Sequence, residues 1–257
     1  MRNYSIVTYN VNGIRAAFNK GFVEWLIAGN YDIVCLQEIK AEESQIDVAA
    51  LQALGYHCYW YSAQKKGYSG VAILSKIAPV TVEYGCGIPE YDYEGRIIRA
   101  DFGSFSVLSC YFPSGTTGEL RQSVKMKFLS DIEVWFKKLN EAHPNLIICG
   151  DYNIANTEID IHDPKGNKNT SGFLPEERDW LSKWFQSGFS DSFRKVNPTK
   201  VEYSWWSYRA GARANNKGWR IDYIAVNDDL AGHVRAVHHL NDAMHSDHCP
   251  VWIQFEY

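Results

Sequence analysis

Apolar residues fall in short runs along this chain, none longer than five residues, with turn-forming residues between them. Ser5 to Tyr9, Asp32 to Leu36, Val71 to Leu74, Ser106 to Tyr111, Asn145 to Cys149, Arg220 to Val226 and Val251 to Phe255 have the length and enrichment of strands. Helical spacing appears between some of them. Phe128, Ile132, Trp135, Phe136 and Leu139 share one face of a segment that begins near Glu119. A second helix is predicted to open at Ser44, with Asp47 completing a capping box, and to stop at Gly55. A third starts at Pro175 and turns Leu181, Trp184 and Phe185 inward. Strands and helices interleave without a Pro/Gly/Ser linker or an obvious internal repeat. The expectation is therefore an α/β fold of mixed sheets covered by helices, forming one domain over residues 1–257. Polar stretches at 61–69, 114–118, 159–172 and 209–218 are the expected functional loops, since binding groups concentrate on loops held by a rigid scaffold.

At 257 residues, 46% of them hydrophobic, the chain can bury a large core, and disorder is excluded. A bilayer span needs about twenty consecutive apolar residues, so no membrane role is expected. The chain runs straight into the strand pattern Tyr4 to Tyr9, without the apolar stretch of a secretion signal, and a cytoplasmic location is expected. The six cysteines agree with that compartment: no C-x-x-C pair exists, and Cys35, Cys110 and Cys149 lie inside apolar runs. Only Cys249, beside His248, has a neighbour suited to metal or redox chemistry. A net charge of -4 does not announce a nucleic-acid binder. Its distribution changes the picture, because Arg194 to Arg220 holds seven Lys/Arg against one acid, a net of +6, leaving -10 on the rest of the chain.

Several predicted strands end on a carboxylate or carboxamide: Asn10 after Val7-Thr8-Tyr9, Gln37-Glu38 after Ile33 to Leu36, and Asp151-Tyr152-Asn153 after Leu146 to Gly150. One such residue is more often a helix cap than a ligand. Three of them, with Ser246-Asp247-His248 and the strand Arg220-Ile221-Asp222-Tyr223, point to a shared sheet edge rich in hard oxygen donors, which suits Mg²⁺. His248 adds a group that titrates near neutral pH. A general acid or base lowers a barrier by roughly 3–5 kcal/mol, whereas phosphodiester hydrolysis needs 8–23 kcal/mol or more on the order-of-magnitude scale, so several groups must act together. The basic segment interleaves Tyr203, Trp205, Trp206, Tyr208 and Trp219 with Arg209, Arg213, Lys217 and Arg220. Cations of this kind neutralise phosphates and aromatic rings stack on bases or line a sugar pocket; the alternative is a core strand followed by a solvated loop.

Together these motifs resemble the exonuclease III family of abasic-site endonucleases, within the deoxyribonuclease I-like phosphoesterase fold. The likeness spans Tyr4 to about Phe255 and rests on Tyr9 to Arg15, Cys35 to Glu38, Tyr111-Phe112-Pro113, Gly150 to Asn153, Gly218 to Tyr223 and Ser246 to Pro250. Gln37-Glu38, Asp151-x-Asn153 and Ser246-Asp247-His248 also mark the wider superfamily, while Lys165-Gly166-Asn167, Gly172-Phe173 and Pro175 to Arg178 are similar to the repair branch.

The resemblance implies a four-layer α/β/β/α sandwich of two mixed sheets packed face to face, helices outside. It implies a Mg²⁺-dependent endonuclease, with Mn²⁺ able to substitute, cutting 5′ to abasic sites in duplex DNA, with 3′→5′ exonuclease and 3′-phosphodiesterase/phosphatase activity on damaged 3′ ends as further expectations. Glu38 would hold the metal with Asn10 and Asp247 in or near its shell, and Asp151, Asn153 and His248 lie beside a second ion in some accounts of the family. Asp151 would position the attacking water, Asn153 would donate to the phosphate, His248 steadied by Asp222 would contact it, and Tyr111 would supply a phenol. Whether Asp151 or His248 takes the proton stays open. Trp205, Trp219 and Ile221 would line the pocket for the extruded sugar, Arg209 would enter the minor groove, and Arg15, Lys66, Arg121 and Asn167 would contact DNA. Ser114 stands where many members carry Asn or Gln, so a phosphate contact from it would run through water. A monomer is expected. The competing readings are a same-fold phosphoesterase acting on a lipid headgroup, a phosphoinositide or RNA, and a DNA-binding protein without catalysis.

Overall fold

The computed structural model describes residues 2–257. The strands are β1 (Asn3–Asn10), β2 (Ile33–Gln37), β3 (His57–Tyr61), β4 (Val71–Ser75), β5 (Thr81–Tyr84), β6 (Ile97–Asp101), β7 (Ser106–Tyr111), β8 (Leu146–Asp151), β9 (Phe189–Asp191), β10 (Asp222–Asn227), β11 (Val234–His239) and β12 (Val251–Glu256). They form two six-stranded sheets ordered β11-β12-β1-β2-β4-β3 and β5-β6-β7-β8-β10-β9. Both sheets are mixed in the same way: β1/β2 and β7/β8 are parallel, and the other neighbours are antiparallel. The repeat of architecture leaves no visible repeat in sequence.

Period-two alternation explains the layers. In β2, Ile33 and Cys35 enter the core between the sheets, while Val34 and Leu36 face the helices on the other side. In β8, Ile147 and Cys149 face the same central core, and Leu146 and Ile148 meet the helix Glu119–Ala142. That helix buries Phe128, Ile132, Phe136 and Leu139 along one stripe, with Trp135 half-buried at its border. The expected α/β/β/α sandwich is thus formed. No helix among the described residues is long and apolar enough to cross a membrane.

The structure departs from the sequence reading in three places. The predicted helix at Ser44 starts at Val48, because Asp47 is itself the N-cap and accepts the Ala50 amide at 3.1 Å, while Ser44 belongs to a separate turn capped by Glu42. Residues 203–208 do not form a regular strand: Tyr203 and Trp206, three apart, are both buried beside Ala212 and Cys249, which breaks strand alternation. Five strands are not among those read from the sequence. β3, β5 and β11 are edge strands only partly buried, β9 is three residues long, and β6 carries buried Arg99, which pairs with Asp101 and with exposed Glu83.

Candidate active site

Sheet register dictates where the polar strand ends meet. β7 and β8 run parallel with Tyr111 opposite Asp151, and β10 runs antiparallel to β8 with Asp222 opposite Asp151. In the facing sheet β1 and β2 run parallel and place Asn10 opposite Gln37, with Glu38 next in the chain. β12 is antiparallel to β1, so the residues leading into it, Asp247 and His248, arrive at the same edge. Gly150 lets β7 and β8 close up just before Asp151, since a Cβ there would stand 2.0 Å from the Cys110 carbonyl oxygen. Asn12, Glu38, Lys40 and Asn153 all hold left-handed backbone, at φ of 45°, 49°, 50° and 53°. Non-glycine residues resist that conformation by about 1–3 kcal/mol each, and such strain collects at functional sites.

The side chains form two connected groups. In the first, His248 Nδ1 donates to Asp222 Oδ2 at 2.8 Å and its Nε2 faces Asp151 Oδ2 at 3.9 Å. Asp151 accepts from Asn10 Nδ2 at 2.8 Å and from the Asn153 amide at 2.8 Å. In the second, Lys40 Nζ lies 2.6 Å from Glu38 Oε2 and 2.5 Å from Asn12 Oδ1, the Tyr111 hydroxyl donates to Glu38 Oε1, and Asp247 accepts from Asn12 Nδ2 at 2.9 Å and Trp205 Nε1 at 3.0 Å.

Electrostatics separates these groups. Burial, the nearby Asp222 charge and Glu38 push the Asp151 carboxyl up to about 8, against the partial relief from His248. For His248 burial acts downward, but Asp222, Asp151 and Asp247 outweigh it and push the imidazole up to about 10. Glu38 moves the other way: its burial is overcome by the Lys40 ammonium and the Tyr111 hydroxyl, and it lies below the usual carboxylate range. Asp247 is likewise held low against burial, by His248 and the Trp205 and Asn12 hydrogen bonds. Burial and the neighbouring acids keep Tyr111 a neutral phenol.

Cation-holding chemistry is present in both groups. Asp151, Asp222 and His248 each offer a ligand atom, all within 4.8 Å of one another, and Asp222 Oδ1 is buried without a hydrogen-bond partner. Around Glu38 a lysine ammonium already satisfies the carboxylate, which shows the demand for positive charge there. The predicted ligand Asn10 is committed otherwise: its amide donates to Asp151 and its oxygen accepts the Asn12 amide.

A cavity of about 260 Å³ opens over this floor, lined by Glu38, Tyr111, Asp151, Asn153, Asp247 and His248 below and by Trp205, Trp219, Ile221 and Gly172 at the side. The two indoles meet edge to face, 6.0 Å apart. Ile221 packs with Ala155, Ile161 and Phe173 behind them. Gly172 adopts φ +95°, and a Cβ there would come within 2.9 Å of the Trp219 ring.

The expected DNA contacts lie outside the cavity. Arg15, Lys66 and Arg209 are exposed. Arg121 bonds the Tyr68 hydroxyl and faces Glu94. Asn167 turns its amide onto the His162 and Asp163 carbonyls, closing its own loop. Two cations of the basic segment are not free for phosphates, contrary to the sequence reading. Arg220 is buried between Asp160 and Asp191, each at 2.7 Å, and Arg213 donates to the carbonyls of Asn241, Ala243 and Ser246. Lys40 was not singled out in the sequence, although its position two residues after Glu38 was a usable signal. Cys249 donates to the Tyr203 carbonyl, and all six cysteines are free thiols.

The profile of the endonuclease/exonuclease/phosphatase family matches residues 7–248. An exodeoxyribonuclease of Bacillus subtilis is 43% identical over 248 residues, 96% of this chain and 97% of that one. Among solved structures, an AP endonuclease from Archaeoglobus fulgidus superposes with a TM-score of 0.91 at 31% identity, covering 99% of this chain and 100% of that one. A 3′ phosphatase from Neisseria, bound to product DNA hairpin, gives a TM-score of 0.91 at 30% identity over 99% of this chain and 100% of that one.

Proposed function

We propose, from the premise that this chain belongs to the endonuclease/exonuclease/phosphatase family, that it is a Mg²⁺-dependent DNA-repair nuclease incising duplex DNA 5′ to abasic sites. The DNA-repair nuclease activity follows from its relatives, named exodeoxyribonuclease and AP endonuclease. What supports the finer reading is one juxtaposition: the apolar wall of Trp205, Trp219 and Ile221 opens directly onto the carboxylate and histidine floor. A sugar that has lost its base is cheap to turn out of the stack and fits an apolar pocket without a base platform.

In this reading Asp151 accepts the proton of the attacking water. Its pKa, pushed up to about 8, makes the ionised carboxylate a strong base whose population grows as pH rises towards 8. His248, anchored through Nδ1 to Asp222, keeps its proton and presents Nε2–H to a phosphate oxygen, which supports Asp151 as the base. Asn153 directs its side chain at the Phe112 carbonyl and its backbone amide at Asp151, and so holds the Asp151 carboxylate in line. Tyr111 keeps its hydroxyl and offers it beside Glu38. Glu38 with Asp247 would hold Mg²⁺, for which Mn²⁺ would substitute, after Lys40 moves aside; Asp151, Asp222 and His248 would take a second cation only on losing the imidazole proton. When bound, the ion supplies neutralisation of charge on the leaving 3′-oxygen.

The test is a duplex oligonucleotide carrying one tetrahydrofuran abasic analogue, with an intact duplex as control, in Mg²⁺ and in EDTA. Incision 5′ to the lesion only in Mg²⁺ is expected. Cutting of the intact duplex at an equal rate would refute lesion recognition.

A further inference from the structure

Behind the catalytic floor lies an ion pair that none of the steps above uses. Lys125, on the stripe of the Glu119–Ala142 helix that faces the sheet, and Glu177, in the first turn of the helix Pro175–Trp184, are both fully buried, with Lys125 Nζ 2.7 Å from Glu177 Oε1. A buried pair of this kind adds little stability over an apolar pair of the same shape, so its other contacts matter. Lys125 Nζ also donates to the backbone carbonyl of Asn153 at 2.7 Å. Asn153 is the left-handed residue whose amide holds Asp151, so the lysine grips that residue from its carbonyl side. Glu177 spends its other oxygen on the amides of Gly172, at 2.6 Å, and Leu174, at 3.0 Å. Gly172 is where the pocket wall approaches both the Trp219 ring and the Asn153 carbonyl. Gln122 completes the unit, donating to Glu177 at 2.9 Å and accepting from Ser171 at 2.7 Å.

We propose that the Lys125–Glu177 pair is a positioning element that locks Asn153 and the Ser171–Gly172 wall of the pocket into one rigid unit, setting turnover rather than DNA affinity. Neither side chain reaches the cavity, and a purely structural pair would need no contact with Asn153. Burial lowers the Lys125 pKa, Glu177 opposing it. Misplacement of a reacting group by about 1 Å costs on the order of 100-fold in rate, which is the sensitivity this arrangement protects against.

The inference rests on the incision reading, and the experiment separates the two. Removing one charge leaves the other buried and alone, so either single variant can fail to fold; the working variant is the double Lys125→Met/Glu177→Gln, with Gln122→Ala as a milder second. On the tetrahydrofuran duplex the double variant should melt close to wild type, with kcat down by about 10- to 100-fold and KM within about twofold. Gln122→Ala should lose a few-fold in kcat in the same pattern. Hydrogen exchange read on peptides covering 151–156 and 168–175 should rise together in both variants, with β5 and β6 unchanged. Wild-type incision with normal kcat in a folded double variant, or faster exchange in only one of the two segments, would overturn the proposal. If wild type itself does not incise, the substrate reading is at fault, and the paired exchange decides the positioning role alone.

Discussion

The floor of the cleft and the basic segment beside it treat charge in opposite ways. On the floor Asp151 and Asp222 face one another across a sheet with one histidine between them, and Asp151 is forced towards its protonated form. In the segment from Arg194 to Arg220 the charges are largely compensated: Arg194 and Arg220 share Asp160, Arg220 also takes Asp191, Lys200 pairs with Glu202, and Arg213 is spent on carbonyls. The first region holds electrostatic tension that a substrate or ion can release. The second is mainly scaffold, and only Lys195, Arg209 and Lys217 are exposed there without an ion pair among the described residues. Segregated charge along a chain is therefore not the same as free charge on a surface.

The largest effect is expected on the floor. Asp151→Asn should lower incision by on the order of 10²- to 10⁴-fold, the range for loss of a general base, in a protein that melts no lower than wild type. The sign follows from the raised pKa: a carboxyl whose folded pKa lies above its unfolded value favours folding at low pH and loses that contribution as pH rises through about 8. An amide removes the cost. A variant with near-wild-type turnover, or one that melts well below it at pH 8, would break the contrast, since Asp151 would then be either idle or a stabilising group.

Arg220→Met probes the opposite region. It leaves Asp191 without its guanidinium partner and Asp160 with Arg194 alone, and stranding a buried charge costs about 3–5 kcal/mol. Chemical denaturation should show that loss even though Arg220 touches no solvent-facing group. An Arg220→Met protein of normal stability but weakened DNA binding would return the residue to the phosphate-contact role that its sequence position suggested.

How much of this could be read from the sequence depends on the range of the interaction. Glu38, Asp151, Asp222 and His248 were legible because each ends or precedes an apolar run, and strand pairing then brings run ends to one edge. The stripe Phe128, Ile132, Phe136 and Leu139 was legible for the same local reason. Arg220 was misread because its partner Asp160 lies sixty residues away, and no local pattern marks a cation that is about to be buried. Lys125 drew no reading from the sequence, because its partner Glu177 lies on a separate helix. Edge strands such as β5 escaped because a half-exposed strand needs few apolar residues.

A third measurement discriminates within the floor itself. Near neutral pH His248 keeps its proton and Asp151, pushed up to about 8, is only partly ionised, whereas Glu38 is held below the usual carboxylate range. Binding of Mn²⁺ at Asp151, Asp222 and His248 must displace a proton, so affinity there should rise by about tenfold per pH unit between pH 6 and 8 for each proton released. Calorimetry in two buffers of different ionisation heat counts those protons. Binding without proton release would place the ion at Glu38 and Asp247 instead.

The smallest effect is expected at Arg209, and it bears most directly on which cations of the basic segment meet DNA. The side chain is exposed on the 209–218 loop, next to exposed Tyr208, and its backbone is held by the Ser207 hydroxyl and by the Ala212 amide, which donates to the Arg209 carbonyl. Arg209→Ala should leave stability within about 0.5 kcal/mol of wild type, in contrast to the buried Arg220. If the guanidinium neutralises one phosphate, the slope of log affinity against log salt should become shallower by about one unit. The loss should also be greater on abasic than on intact duplex, because only the former leaves a gap for the side chain to enter. An unchanged slope would put Arg209 off the DNA and leave Lys195 and Lys217 as the cations of the segment available to the backbone; an equal loss on both duplexes would keep the phosphate contact but remove lesion sensing from it.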